Sequence, residues 1–146
     1  MEAVSETVGI GEAARVVGLS VDTLRYYERA GLLDGILRTE GNQRRYGEEA
    51  LAAVRFITKM RLTGMPIRTI RRYMSLRREG VSTAEARLGI MAEHRESVLR
   101  QIEELQGNLE IIELKIDMYQ RGVDPRGDDP CARALARRLS ATGETR

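Results

Sequence analysis

Arginine, tyrosine and short polar side chains cluster in residues 19–33, which read LSVDTLRYYERAGLL. Guanidinium and phenol groups donate hydrogen bonds to phosphate oxygens, and small side chains can approach base edges in the major groove of DNA. We interpret this stretch as a DNA-reading helix in which Arg25 and Tyr26 contact phosphates. Its other candidate DNA-binding residues are Ser20, Val21, Asp22, Thr23 and Tyr27.

The ends of this helix can be predicted from single residues. Ser20 is placed as an N-cap, because its hydroxyl can accept a hydrogen bond from an amide of the first turn, so the helix should begin at Val21. Leu19 and Leu24 can close a hydrophobic staple across that cap. Gly31 is well placed as the left-handed residue that ends the helix.

A second, shorter helix should precede the cap. In residues 10–17 the apolar side chains recur every three or four positions, and Gly18 then supplies a turn. Helix, turn and capped helix match the helix-turn-helix pattern, but short helical hairpins also occur in many unrelated folds. On these residues alone, DNA binding and a purely structural hairpin both stay open.

The net charge of +2 conceals an uneven distribution. Residues 1–80 hold 14 basic against 10 acidic side chains, residues 81–124 hold 5 against 9, and the remainder holds 5 against 3. The positive charge therefore accompanies the candidate DNA-reading helix, as expected of a nucleic-acid binder. It is concentrated in Arg38, Arg44, Arg45, Lys59, Arg61, Arg68, Arg71 and Arg72.

Other classes of function find little support in the sequence. No apolar run approaches the roughly eighteen residues of a membrane span, and the acidic start lacks the features of a signal peptide, so we expect a cytoplasmic protein without a membrane partner. No HExxH, GxSxG or P-loop pattern occurs, so we expect no catalytic residues and no enzyme. The single cysteine, Cys131, and the single histidine, His94, are too few for a metal site, and we expect His94 at the surface. The sequence thus predicts neither a metal nor a cofactor.

Downstream of the candidate helix, residues 34–46 should form a β-hairpin. Two extended stretches flank a turn in which Gly41 and Asn42 tolerate positive φ. Arg44 and Arg45 are expected at the tip of this hairpin.

Three further helices are predicted from apolar spacing and end signals. The first two cover residues 48–62 and 66–80, and the third, which Ser82 or Thr83 can cap, reaches about residue 121. We interpret three methionines in and between the first two helices as core fillers, namely Met60, Met65 and Met74.

One face of the third helix is apolar for three heptads. Its apolar residues alternate steps of four and three, which is typical of a coiled coil. A helix of roughly 55 Å is too long for an 80-residue domain to cover, so we expect a homodimer. The dimerisation residues are Val98, Ile102, Leu105, Leu109, Ile112, Ile116 and Tyr119.

The order of these segments resembles the MerR family of transcriptional regulators. The resemblance rests on VGIGEAARVVGLSVDTLRYYERAGLL, an RxxxxxRRY hairpin and FITKMRLTGMPIRTI, which together cover residues 7–80. It implies a mainly α fold in which a winged helix-turn-helix domain precedes a long helix that pairs antiparallel with its copy. It also implies that the hairpin is a wing resting on the DNA backbone. The further DNA-binding residues that it implies are Arg38, Arg44, Arg45, Tyr46 and Arg68.

The resemblance also implies a function. A homodimer would bind a near-palindromic promoter site in double-stranded DNA, and bending with untwisting would let RNA polymerase engage the promoter. Activation and repression both stay open. The alternative is a coiled-coil architectural protein that binds nucleic acid non-specifically through its basic half.

We expect three segments along the chain. They are a DNA-binding domain at 1–80, with the helix-turn-helix at 10–29 and the wing at 34–46, a dimerisation helix at 81–121, and a short tail at 122–146.

In the tail, a turn at 122–130 should precede a short helix at 131–140 with an apolar edge of Ala132, Leu135 and Leu139. About 25 residues are too few to enclose a drug-sized pocket, so a small-molecule effector is expected to bind between the tail and the partner subunit. The resemblance also implies that relatives sensing electrophiles carry a cysteine where Lys59 stands, so we do not expect that mode of sensing.

Overall fold

A computed structural model describes residues 6–122 and 130–142. The helices are α1 (Ile10–Val17), α2 (Val21–Arg29), α3 (Glu48–Leu62), α4 (Ile67–Glu79), α5 (Ala84–Gln120) and α6 (Pro130–Thr142). The strands are β1 (Val8–Gly9), β2 (Leu37–Arg38) and β3 (Arg44–Tyr46). The predicted fold class is confirmed, since the structure is mainly α, with a helix-turn-helix, a small wing and a long helix. Within the described ranges, no helix is both long and apolar enough to cross a membrane.

The helix-turn-helix follows the predicted boundaries. α2 begins at Val21, where the Ser20 hydroxyl accepts a hydrogen bond from the Thr23 amide at 3.0 Å. Gly18 precedes α2 with a φ of 72°, and Gly31 follows it with a φ of 74°. A side chain would strain either left-handed position, so Gly18 ends α1 and Gly31 follows the end of α2.

The wing is part of a three-stranded antiparallel sheet in the order β1-β3-β2. The two predicted strands pair with Leu37 opposite Arg45, and Asn42 turns between them with a φ of 60°. The prediction missed β1, because two residues are too few to show an alternating pattern. The expected position of Arg44 and Arg45 at the tip is wrong, since both residues lie on β3.

The core lies among α1 to α4, the sheet and the first part of α5. Burying one large aliphatic side chain contributes about 1.5–3 kcal/mol relative to exposure, so this cluster accounts for much of the stability. The interpretation of methionines as core fillers is confirmed for Met65 and Met74, which are 2% and 6% exposed. The fully buried large side chains are Leu24, Leu32, Tyr46, Val54, Ile57, Met65 and Ile70.

The link between α4 and α5 differs from the prediction. A short 3-10 turn, Val81–Thr83, precedes α5. The Thr83 hydroxyl lies 2.6 Å from the carbonyl oxygen of Leu76 and 2.8 Å from that of Gly80, and it donates to these groups. The Thr83 hydroxyl therefore provides a hydrogen-bond donor to free carbonyl groups at the end of α4, and Thr83 is not the N-cap of α5.

The prediction of His94 as a surface residue is also wrong. Its Nε2 lies 2.7 Å from the hydroxyl of Thr63, at the end of α3, in a half-buried contact. The Thr63 hydroxyl donates to the carbonyl of Lys59 at 3.0 Å, so it accepts the hydrogen bond from Nε2–H of His94. The contact fastens the first part of α5 to α3.

The structure divides into two compact units, the first ending at His94 and the second beginning at Arg95. The predicted domain boundaries after residues 80 and 121 stay predictions. In the second unit, the predicted dimerisation stripe is open to solvent, with exposed fractions between 45% for Ile102 and 67% for Leu105, while Val98 is half-buried. α6 covers the predicted tail helix, whereas the turn at 123–129 and the Leu139 side chain lie outside the described residues.

Candidate nucleic-acid interface

The middle of α2 is open to solvent. Tyr26 is 40% exposed, and the half-exposed Arg25 side chain forms a loose ion pair with Asp22 at 3.5 Å. The Asp22 side chain is 92% exposed, so water screens this pair and it contributes little to stability. Arg25 can therefore exchange Asp22 for a phosphate group.

The start of α2 is small, polar and rigid. The hydroxyls of Ser20 and Thr23 lie 2.8 Å apart, in addition to the capping bond between them. One hydroxyl proton is used in this contact, so the other is left for a further partner. Val21 beside them is half-buried. This part of α2 can approach base edges without reorganising.

Two predicted DNA contacts lie in the core. Tyr46 is 0% exposed, so the prediction of a direct DNA contact is wrong for this residue. Tyr27 is 5% exposed, and its ring packs in the same core cluster as Leu24. Helical spacing places Tyr27 and Leu24 on one face of α2, and that face is the buried one. Both tyrosines therefore pack in the core beneath the candidate interface and do not contact DNA themselves.

The Tyr46 hydroxyl is buried and has no hydrogen-bond partner among the residues that the structure describes. Burial, followed by the negative charge of Glu28, raises the pKa of Tyr46 above its usual 10.0. The phenol therefore stays neutral at physiological pH.

Glu28 connects α2 to the wing. Its Oε1 accepts a hydrogen bond from Arg38 Nη2 at 3.0 Å, and its Oε2 accepts one from Arg44 Nε. The side chains of Glu28 and Arg44 are 22% and 25% exposed, so water screens this pair less than a surface pair. The sequence prediction missed Glu28, because its partners lie 10 and 16 positions away and no local pattern indicates them.

Arg45 connects the wing to the residue before β1. Its Nε donates to the Thr7 hydroxyl at 3.2 Å, and its Nη2 donates to the Thr7 carbonyl oxygen. Thr7 is neutral, so these bonds position the guanidinium without cancelling its charge. Arg45 therefore combines a structural role with a charge that attracts phosphate.

α2, the wing and the start of α1 enclose a groove of about 410 Å³. Three guanidinium groups converge on it. α1 follows Gly9, which offers no side-chain cap, so the first amides of α1 and the positive end of the helix dipole also favour an anion. The groove suits a phosphate of a DNA backbone. It is lined by Gly9, Ile10, Arg25, Asn42, Gln43, Arg44 and Arg45.

α4 supports the end of α2. Arg71 Nε donates to the carbonyl oxygen of Ala30 at 2.6 Å, which satisfies a group that the helix leaves free and places a cation at its negative end. The sequence indicated Arg71 only as a positive charge. Arg68 is exposed near the start of α4 and does not line the groove, so its predicted phosphate contact stays a prediction.

Comparison with known proteins places this arrangement in a family. Residues 9–77 match the family model described as MerR HTH family regulatory protein, and residues 51–114 match the model described as MerR, DNA binding. An uncharacterised HTH-type transcriptional regulator from Haemophilus influenzae is 32% identical over 115 residues, which cover 79% of this chain and 85% of that protein. The transcriptional regulator AdhR from Bacillus subtilis is 38% identical over 92 residues, which cover 63% of this chain and 66% of AdhR.

A solved structure extends the likeness to a DNA complex. The crystal structure of HiNmlR, a MerR family regulator lacking the sensor domain, bound to promoter DNA, is 32% identical with a TM-score of 0.73. The match covers 80% of this chain and 92% of that chain. The chain therefore belongs to the MerR family and is a sequence-specific DNA-binding transcriptional regulator.

Proposed function

We propose that each subunit binds one operator half-site through the cationic groove and the exposed face of α2. Arg25, Arg44 and Arg45 would contact phosphates, with Tyr26 beside them, while Val21 and Thr23 face base edges. The observation that supports this proposal is the convergence of residues from α2 and from the wing on one groove. Phosphate contacts of this kind position a protein, and base contacts give it specificity.

Substitution of Arg25 tests the proposal. Arg25→Ala should lower operator affinity strongly and reduce the slope of log affinity against log salt by about one. Arg55 is an exposed arginine of α3 that does not line the groove, so Arg55→Ala removes the same charge and should leave both quantities nearly unchanged. Wild-type binding by Arg25→Ala, or an equal loss in both variants, would contradict the placement of the groove on DNA.

We also propose that the apolar stripe of α5 is covered by the same stripe of a second copy, running antiparallel. Six apolar side chains of the stripe are at least 45% exposed, and an apolar patch of this kind marks an interaction surface. Leu109→Glu should give a monomer in size-exclusion chromatography with light scattering. Val16→Glu changes an exposed aliphatic residue of α1 and should leave the dimer intact. A dimer in both variants would contradict this interface.

At the promoter, we propose that the dimer bends and untwists an overlong spacer so that RNA polymerase can engage both promoter elements. Such a deformation costs about 1–6 kcal/mol by elastic estimates, which two sets of wing and helix contacts can offset. In vitro transcription from promoters of graded spacer length tests this role. Activation confined to overlong spacers supports it, whereas repression at every length indicates a regulator that only blocks polymerase.

We propose that a small-molecule effector acts through the second unit. α5 and α6 enclose a groove of about 600 Å³, which is within the usual size of ligand sites. The residues that line this groove belong to one chain, and the pocket shared with a partner subunit that the sequence predicts stays a prediction. Leu135 lines it, so Leu135→Asp should abolish induction and leave operator binding intact. Loss of operator binding in this variant would contradict the separation of the two roles.

A further inference from the structure

The dimerisation stripe of α5 continues to a charged residue at its N-terminal end. Its residues alternate steps of four and three from Val98 to Tyr119, and one further step of three before Val98 reaches Arg95. The Arg95 side chain is 71% exposed, and its ion pair with the adjacent Glu96, at 3.5 Å, is exposed as well. Water screens such a pair, so the guanidinium is available to another partner. The stripe therefore has a cation at one end and an aromatic ring at the other.

Arg95 disfavours a parallel pair of α5 helices. In a parallel coiled coil each core position faces its own copy, so two Arg95 guanidinium groups would meet at the interface. Like charges repel at that distance, and burial would take both away from water. An antiparallel pair instead brings Arg95 to the opposite end of the partner's stripe. That end is Tyr119, which is 64% exposed.

In one antiparallel register, the steps of three and four coincide along the whole stripe. Each facing pair then occurs twice, because a two-fold axis relates the two copies. The only charged member of the stripe meets an aromatic ring, and every other member meets an apolar side chain. The facing pairs are Arg95 with the partner's Tyr119, Val98 with the partner's Ile116, Ile102 with the partner's Ile112, and Leu105 with the partner's Leu109.

A shift of one heptad in either direction gives a poorer interface. In one direction Arg95 would face Ile112, where its charge would be buried without a partner. In the other direction Val98 would lie beyond Gln120, the residue at which α5 of the partner ends. The first shift buries an unpaired cation, and the second leaves part of the stripe uncovered.

We propose that α5 pairs with its copy in the register that places the Arg95 guanidinium over the Tyr119 ring of the partner subunit. This inference rests on the proposed antiparallel dimer and adds to it the register and the contact that selects it. The quadrupole of an aromatic ring attracts a cation placed over its face, and each dimer contains two such contacts. The apolar side chains provide most of the affinity, whereas Arg95 and Tyr119 exclude the other orientation and registers.

Disulfide cross-linking tests the register in full-length chains that carry Cys131→Ser, which removes the only native cysteine. A disulfide requires two Cα atoms within about 7 Å of each other, so it reports facing core positions. Leu105→Cys and Leu109→Cys proteins, one of them isotope-labelled, are mixed, allowed to exchange subunits and oxidised. We expect a disulfide between position 105 of one chain and position 109 of the other, and little disulfide in either protein alone.

The other arrangements are tested in the same way. A parallel pair would join position 105 to its own copy, so a dominant disulfide in Leu105→Cys alone would overturn the proposal. Ile102→Cys and Ile116→Cys, each mixed with Leu105→Cys, report the two registers shifted by one heptad. A dominant disulfide in either of these mixtures would overturn the proposal as well.

Sedimentation equilibrium tests the contact between Arg95 and Tyr119. Arg95→Ala should raise the Kd of the dimer about five- to thirty-fold, because two cation–π contacts are lost. Tyr119→Leu keeps an apolar side chain without the ring, so Arg95→Ala should change Kd little in that background. Arg100→Ala removes an exposed arginine about 140° around the helix from Arg95 and should leave Kd unchanged. An equal effect of Arg95→Ala with and without the Tyr119 ring would overturn the contact.

Light scattering of the same samples distinguishes failure of the register from failure of the proposed dimer. A dimer whose cross-links lie at other positions overturns the register alone. A monomeric protein overturns the dimer itself, and the register with it.

Discussion

Tyr46 allows the buried side of the interface to be tested separately from its DNA-contacting side. Its side chain is completely buried, and its hydroxyl has no hydrogen-bond partner in the described parts of the chain. An unsatisfied buried polar group costs about 1–3 kcal/mol. Tyr46→Phe removes this group and keeps the packing of the ring. We therefore expect the free energy of unfolding to rise by about 1 kcal/mol, which corresponds to roughly 4–8 °C in Tm for a domain of 60–100 residues.

The pH dependence of stability should change in the same variant. Burial raises the pKa of Tyr46 above 10.0, so the folded state retains the phenolic proton at a pH where the unfolded chain loses it. The stabilising effect of the raised pKa is fully present below pH 10 and is lost as the pH rises through the folded pKa. Within that window the wild-type protein loses about 1.4 kcal/mol per pH unit at this residue, and Tyr46→Phe does not. The advantage of the variant should therefore grow above pH 10.

Urea denaturation of both proteins at pH 7, 9, 10 and 11, at one protein concentration, measures this difference. Other groups titrate in both proteins and cancel in the comparison. Tyr26→Phe serves as the control, because its 40% exposed side chain leaves its hydroxyl accessible to water and its removal should not change stability. Operator affinity should stay unchanged in Tyr46→Phe and fall in Tyr26→Phe. A Tyr46→Phe protein that is less stable than wild type, or that binds operator more weakly, would refute the assignment of Tyr46 to an unsatisfied core position.

Three other predictions test the contacts around the interface. Glu28→Gln removes the negative charge that orders two wing arginines. Operator affinity should therefore fall several-fold, while affinity for random DNA should not fall. An unchanged ratio of operator affinity to random-DNA affinity in competition titrations would count against this role. Arg45→Ala should weaken binding to operator and random DNA alike and, since Thr7 loses its donor, lower the unfolding free energy by about 1–2 kcal/mol. Compared with Arg45→Ala, Arg45→Lys should recover more of the DNA affinity than of the unfolding free energy. Equal recovery of both would show that the structural and DNA-binding roles of Arg45 cannot be separated. His94→Ala should lower the free energy of unfolding by about 1 kcal/mol. In the wild-type protein, NMR of the imidazole nitrogens of this single histidine should show the Nε2–H tautomer. An Nδ1–H tautomer would show that the hydrogen bond to Thr63 is absent.

Local patterns predicted the helices well, because helix ends and faces depend on residues within four positions of one another. The Ser20 cap, the start at Val21 and the left-handed Gly31 were all found in this way. The same patterns failed for β3, where three residues are too few to show which side chains face inward. Family resemblance placed Tyr46 among the DNA contacts, but a shared motif does not indicate whether a side chain contacts DNA or packs below the surface.

Contacts between distant residues escaped prediction. The Thr83 hydroxyl bonds back to α4, and Arg71 bonds to the end of α2 at a separation of 41 positions. Neither residue stands out by type, since threonine and arginine are common on surfaces. Only the folded backbone brings their donors to free carbonyl groups.

The same contacts explain why a count of arginines does not predict the strength of the interface. Arg38 and Arg44 share the single carboxylate of Glu28, so the three groups retain one net positive charge. Arg45 bonds to neutral Thr7 and retains its whole charge. These side chains lose their conformational freedom on folding rather than on binding, which lowers the entropic cost of meeting the DNA backbone. A wing whose arginines were not paired with Glu28 would carry more positive charge, and it would bind random DNA as well as operator DNA. The carboxylate of Glu28 thus weakens the attraction of the wing for phosphate, but it fixes the geometry of the wing relative to α2. That geometry lets α2 meet the base edges in one register.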